Sequence, residues 1–200
     1  KIEKKLGTAS AWMWSGNAMN DSGMIVAWHT PGGEKMYGPW GIFPSGAAKV
    51  GAASSMASRF VGLKEGSAEF DVQWRAAAQE DPAGFAALQR AYVKRTSYDP
   101  SVAMILSDEK IDITKQSLAI QELVFTWTSM TGQGDTFFRW AADAMRSAGK
   151  WNPSSADFDR DLLSALYSAM EKTRYFQKNP KQFTRFKTAI GQSSVGGDCR

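Results

Sequence analysis

Three dipeptides in this chain read as helix starts, each a side-chain acceptor directly before a proline: Asp81-Pro82, Asp99-Pro100 and Asn179-Pro180, whereas Asn152-Pro153 reads as a turn. An N-cap oxygen followed by a ring that presets φ is a helix start, because proline at the first helical position gives up an N–H that would be unpaired anyway. The residues that follow repeat at helical spacing. Phe85, Leu88 and Tyr92 form one apolar stripe, Val102, Ile105 and Leu106 a second, and Phe183 with Ile190 a third, which Gly191 is expected to end. Ser67 is placed to cap a helix carrying Phe70 and Trp74 on one face. Ser154 with Asp157 forms a capping-box pattern ahead of Phe158, Leu162, Leu166, Met170 and Tyr175. Thr114 opens the most apolar segment, with Leu118, Ile120, Leu123, Val124 and Trp127 leaving little polar surface. That segment is expected to be the buried central helix. Asp135 opens another, directing Phe138, Ala141 and Met145 inward. From Gly66 onward the chain reads as helix after helix.

Ahead of Gly66 the character is different. Eleven of the 18 glycines fall within residues 1–66, together with four of the eight tryptophans (Trp12, Trp14, Trp28, Trp40) and the one histidine, His29. Residues 2–14 are spaced for a short helix that Ser15-Gly16-Asn17 would end. Met24–Trp28 reads as a short strand, and Glu34–Phe43 as its partner across Pro31-Gly32-Gly33, with Pro44-Ser45 closing the hairpin. A helix over Ala47–Val61 follows, with Met56, Phe60 and Leu63 on its buried side. Aromatic rings set among glycines suit a cleft wall, since glycine admits a ligand close to the backbone and an indole offers a flat apolar face. The expected architecture is mainly α (α+β), with about seven or eight helices and a small β-hairpin near the N-terminus. It is expected as a single domain over 1–192, with the cleft region at 15–46 and a loose tail at 193–200.

Composition narrows the function. The net charge of +4 comes from 24 basic and 20 acidic residues without a dense basic run, so no nucleic-acid partner is expected; the excess would suit an anionic polymer. No apolar run approaches the roughly 20 residues that cross a bilayer, so membrane insertion is not expected. KIEKKLG leads into no signal-peptide core, and a first residue other than Met fits a processed chain or a piece of a longer one. The single cysteine, Cys199, excludes an intrachain disulfide. One histidine does not build a typical metal site, and phosphate-loop, CxxC and dinucleotide motifs are missing; no metal and no cofactor is expected.

The candidate chemical groups lie in the aromatic stretch. His29 has a pKa suited to activating water but needs an acid as partner, and is otherwise a structural hydrogen-bonding group. Glu34, just past the turn, is the first choice for a carboxylic acid, against a solvated Glu34-Lys35 pair; Asp21 is the next, against a turn role. Trp28, Tyr37 and Trp40 are the candidate substrate-stacking rings, against plain core packing. Gln89 and Tyr98 read as residues that hold helices together.

Several motifs occur in an ordered series: Trp14-Ser15-Gly16-Asn17, Gly32-Gly33, Tyr37-Gly38-Pro39-Trp40-Gly41, Phe70-Asp71-Val72-Gln73-Trp74, Asp81-Pro82 with Phe85 and Gln89, Tyr98-Asp99-Pro100, and Ser117–Gly134 with Gln121 and Trp127. Together they resemble the lysozyme-like superfamily, in particular the muramidase or chitosanase-like domains of phage tail proteins and type VI secretion spike effectors. The likeness covers roughly residues 10–135 and more loosely extends to about 190. It implies a helix ending in Glu-Ser-Gly, an acidic residue just before a Gly-Gly turn, and a strand glutamine. Here those positions carry Trp14, His29 and Gly41. A glycosidase of this type needs an acid to protonate the leaving oxygen and a second group to activate water or stabilise the cation. The resemblance therefore implies a fold whose catalytic positions are degenerate: a structural or wall-engaging part of a phage tail or related injection machine, carried in a virion or injected particle to the bacterial envelope. Its partners would be tail, baseplate or spike subunits and peptidoglycan strands. The alternative is an active peptidoglycan hydrolase with a relocated acid, Glu34 supported by His29.

Overall fold

The computed structural model describes residues 6–15, 21–27, 33–132 and 135–195. Trp28, His29, Pro31-Gly32 and the end of the tail lie outside the described residues. So does the Gly16-Asn17 stop, and of Trp14 and Ser15 only the backbone is described. The chain divides into two compact units, Ser10–Thr96 and Ser97–Arg200 with Lys1–Ala9.

The first unit carries the hairpin. After α1 (Thr8–Ser15), β1 (Ile25–Ala27) pairs antiparallel with β2 (Lys35–Tyr37), in the register Ile25↔Tyr37 and Ala27↔Lys35. β2 is shorter than its sequence suggests. At Tyr37 the chain folds back on itself: the Tyr37 N–H donates to the Ile42 carbonyl at 2.8 Å and the Ile42 N–H returns to Tyr37 at 2.9 Å. This loop needs left-handed backbone at Gly38 (φ +70°) and Gly41 (φ +64°), which no β-branched or bulky residue accepts cheaply. Pro44 and Ser45 then open α2 (Pro44–Ala53) instead of closing the hairpin, with proline in the first turn. The expected helix over 47–61 is α2 followed by a separate 3-10 turn, Ala57–Phe60. α3 (Ala68–Glu80) starts where Ser67 accepts the Phe70 N–H at 3.2 Å. α4 (Pro82–Val93) starts where Asp81 accepts the Gly84 N–H at 2.9 Å. Both caps are as expected. The α4 stripe differs: its buried positions are Phe85, Gln89 and Val93, not Leu88 or Tyr92. Tyr37, Phe60, Phe70, Trp74 and Phe85 make an aromatic core with successive edge-on contacts, the tightest at 4.6 Å between Trp74 and Phe85.

The second unit is helical. The Asp99-Pro100 signal does not begin a helix afresh. Lys94–Tyr98 is a π-turn that joins α4 to α5 (Asp99–Glu109). A wider turn makes room for the Pro100 ring, which in a regular helix would clash with the carbonyl four residues back. After a 3-10 turn at Ile113–Lys115, α6 (Leu118–Thr131) has every residue from Ala119 to Thr128 buried, as its composition predicts. α7 (Asp135–Ser147) buries Phe138, Ala141 and Met145, and α8 (Phe158–Glu171) buries Phe158, Leu162, Leu166 and Met170. The Ser154–Asp157 capping box is not made: Asp157 stands at the N-cap without a side-chain cap, and its own N–H donates to Ser155. α8 stops before Tyr175; the buried ring there is Phe176, in the short α9 (Arg174–Lys178). α10 (Pro180–Val195) runs past Gly191, because that glycine keeps negative φ and does not act as a stop.

Two buried carboxylates tie this unit together. Glu122, fully buried on α6, accepts the N–H groups of Thr8 and Ala9, each at 3.2 Å, so a carboxylate 113 and 114 residues away completes the first turn of α1. Glu109 on α5 pairs with Arg146 on α7, whose guanidinium also bonds Asp143 at 3.2 Å and lies 4.5 Å from the centre of the Trp151 ring.

Candidate functional site

A cleft of about 580 Å³ opens beside the base of the hairpin. One wall is the backbone running into β1, Asp21 to Ile25; the other is α3 and the start of α4, contributing Arg75, Ala78, Gln79 and Pro82. Local chemistry builds the first wall. Asp21 Oδ1 accepts the Gly23 N–H at 3.0 Å and its carbonyl accepts the Met24 N–H at 3.3 Å, a turn of the kind that short acidic side chains stabilise. A Cβ on Gly23 would come 2.9 Å from the Ala78 Cβ, so glycine lets the strand lie close against α3. Gln89 holds the hairpin's base from below: its Nε2 donates to the Ser22 carbonyl at 2.8 Å, while its Oε1 fills the space a Gly38 side chain would take. Gln89 is thus a tie between α4 and the hairpin, where the sequence suggests a tie between helices.

β2 is anchored to α3 by charge. Lys35 Nζ donates to Asp71 Oδ2 at 2.6 Å and to the Gly66 carbonyl at 3.0 Å, and the Tyr37 hydroxyl donates to Asp71 Oδ1 at 2.6 Å. Burial, and secondarily the hydrogen bond to the Asp71 carboxylate, push the Tyr37 phenol well above its usual range, so it stays a neutral donor. The pattern of α3 is inverted here: Asp71 is 8% exposed and its neighbour Val72 58%. A hydrophobicity reading places Val72 inside. Lys35 and Tyr37 reverse that by giving the carboxylate a hydrogen bond on each oxygen, while the Gly66 carbonyl holds the Lys35 ammonium in place.

The candidate residues are distributed unevenly around this cleft. Tyr37 and Trp40 are 0% and 7% exposed and belong to the packed core, so neither ring presents a face for stacking, which corrects their expected role as substrate contacts. Gly41 is buried in the loop that closes on Tyr37, where its left-handed backbone is a requirement of the turn. Glu34 is exposed next to Lys35 at the turn end of the hairpin, away from the cleft at the other end of β1. Among the described sequence candidates, Asp21 is the one that lines the cleft. Arg75 and Gln79 escaped the sequence reading. Their only signal was i, i+4 spacing on the side of α3 away from Phe70 and Trp74, which describes many solvated helix faces.

The model of the type VI secretion system spike protein VgrG3-like C-terminal family matches residues 6–191. The chain belongs to that family. It is a type VI secretion spike-associated domain, and the match runs through both compact units. A comparison with curated proteins gave no match. Chemically, the described lining of the spike domain's cleft offers one carboxylate, one guanidinium and one amide. That set can orient a polar or anionic ligand; a two-carboxylate glycosidase arrangement is not present among the described lining residues.

Proposed function

We propose that this spike domain is lysozyme-like in descent, that residues 1–192 act as one domain, and that it engages the bacterial cell wall without cutting it. In this reading it travels on a secretion spike, beside other spike or baseplate subunits, to the cell envelope. Its cleft grips a peptidoglycan strand. The observation that carries the reading is the placement of carboxylates. The positions that the resemblance reserves for the acid, the second polar group and the strand glutamine hold Trp14, His29 and Gly41, and Asp21 in the cleft is bound to the Gly23 N–H. Its Oδ1 is thus committed to the turn that shapes the cleft wall.

A second reading has one observation in its favour: Asp21 is a carboxylate lining a cleft of substrate size, so an active peptidoglycan hydrolase would use it, or the exposed Glu34, as a relocated acid. The deciding experiment is release of reducing ends from purified peptidoglycan by wild type, Asp21→Asn and Glu34→Gln, with co-sedimentation on the same material. Binding without release by wild type supports the non-cutting reading. Release that one of the two substitutions abolishes overturns it and names the acid.

A further inference from the structure

The second unit contains a groove of about 490 Å³ that belongs neither to the hairpin cleft nor to the aromatic stretch. It runs between α7 and α8, which form a helical hairpin through the connection 148–157. Its floor is made of small side chains: Ala144 from α7, Ala148 just past its end, and Ser164, Ala165, Ser168 and Ala169 from α8. At the connection end the groove is edged by the Lys150–Asp161 ion pair, at 3.5 Å. Toward the opposite end lie Trp140, two turns earlier in α7, and Lys172, three turns or about 16 Å beyond Asp161 along α8. Trp140 is 51% exposed although Phe137, Phe138 and Met145 of the same helix are buried, and Lys172 makes no ion pair among the described residues.

These features fit one kind of ligand. An indole half in water beside a shallow floor offers a flat apolar face at low entropic cost, which matches the C–H face of a pyranose ring. Serine hydroxyls on the floor and a charged pair at the edge can serve ring hydroxyls and acyl amides. The Lys172 ammonium in the same lining adds a preference for a carboxylate carried by the sugar, since two lysines face a single aspartate here. The volume lies within the range of small-ligand sites. We propose that the α7/α8 groove is a second glycan-binding site, in which Trp140 stacks on an N-acylated hexosamine and Lys172 reads an acidic substituent on it. The choice of a glycan as the ligand rests on the wall-engaging reading above; the site itself is built from different residues on a different unit.

The test is a titration of the intact domain, its tryptophan indoles labelled with 15N, with the N-acetylglucosaminyl-N-acetylmuramic acid disaccharide and separately with neutral chitotetraose. The Trp140 signal is assigned from Trp140→Phe. The disaccharide is expected to shift the Trp140 signal, and Trp140→Ala to weaken its binding by about tenfold or more, the loss of one good contact. Lys172→Glu is expected to weaken the disaccharide similarly and leave chitotetraose unchanged. Both substitutions are at the surface, so unchanged thermal melting confirms that the fold is intact. Arg75→Ala in the hairpin cleft is measured in parallel. Disaccharide binding that Arg75→Ala abolishes and Trp140→Ala leaves untouched overturns the groove while sparing the wall-engaging reading. Absence of any disaccharide binding or peptidoglycan co-sedimentation by wild type overturns both.

Discussion

Single residues in this domain are constrained mostly by what sits within a bond's reach. Gly38 and Gly33 make a controlled pair, because both have left-handed backbone, φ +70° and +60°. A Cβ on Gly33 meets nothing within 4 Å, so Gly33→Ala should cost about 1–2 kcal/mol, the price of the left-handed conformation alone. A Cβ on Gly38 would fall 1.8 Å from Gln89 Oε1 and force that buried amide off the Ser22 carbonyl. Gly38→Ala should therefore cost clearly more, by about a further 1–3 kcal/mol. Chemical denaturation of the two variants checks the order; equal losses would mean that Gln89 moves aside freely. Tyrosines set a second prediction. Burial raises the phenols of Tyr37, Tyr98, Tyr167 and Tyr175, Tyr167 to about 12. An unfolded phenol titrates near 10, so the native state holds these protons more tightly. Stability is thus unaffected below about pH 10 and falls as pH rises above it, because deprotonation then favours the unfolded chain. Ultraviolet absorbance titration should show the phenolates of these four tyrosines appearing together with loss of helical circular dichroism, not ahead of it.

At the scale of elements, two long-range ties replace what local capping leaves undone. α1 has no acidic residue in its first turn, and Glu122 from α6 supplies the acceptor. Glu122→Ala leaves the Thr8 and Ala9 N–H groups without that carboxylate and opens a space beside α6. The expected loss is about 2–4 kcal/mol, with Glu122→Gln losing less because its amide oxygen still accepts. Similar losses for the two variants in thermal melting would mean that charge, and not hydrogen bonding, is what α1 requires. Arg146→Ala would strand Glu109, which is 5% exposed in its side chain, beside α7. Losing one partner of a fully buried pair costs about 3–5 kcal/mol, and with the Arg146 side chain 40% exposed the expected loss falls below that range. Arg146→Lys should recover only part, since one ammonium cannot serve Glu109, Asp143 and the Trp151 face together. These elements also show where periodicity reads true. The helix starts at Ser67 and Asp81 were legible because capping is local chemistry. The capping box at Ser154 was legible too, yet the backbone turns differently and Asp157 takes the N-cap unassisted. A motif of that kind states what residues can do once the chain arrives in the right geometry, and packing of the preceding connection decides whether it does.

For the whole molecule, the net charge of +4 means that the proposed grip on an anionic wall polymer should be salt-dependent. Co-sedimentation with peptidoglycan should fall between about 0.05 and 0.5 M NaCl, as the screening length shortens to a few ångströms. Retention unaffected by salt would point to apolar contacts as the main grip. The sequence by itself determined that this chain is mainly helical with a hairpin near its N-terminus, that α6 is buried on all sides, and which residues cap α3 and α4. Each of those follows from periodicity or from contacts a few residues apart. Tertiary structure alone decided that Asp71 goes inside and Val72 outside, that Tyr37 and Trp40 are core, that Asp21 lines the cleft while Glu34 stands apart, and that Arg75, Gln79 and Trp140 edge open space. Those outcomes depend on which distant group meets each side chain, Lys35 on Asp71 or Gln89 on Gly38. A linear pattern of apolar and polar residues does not carry that pairing.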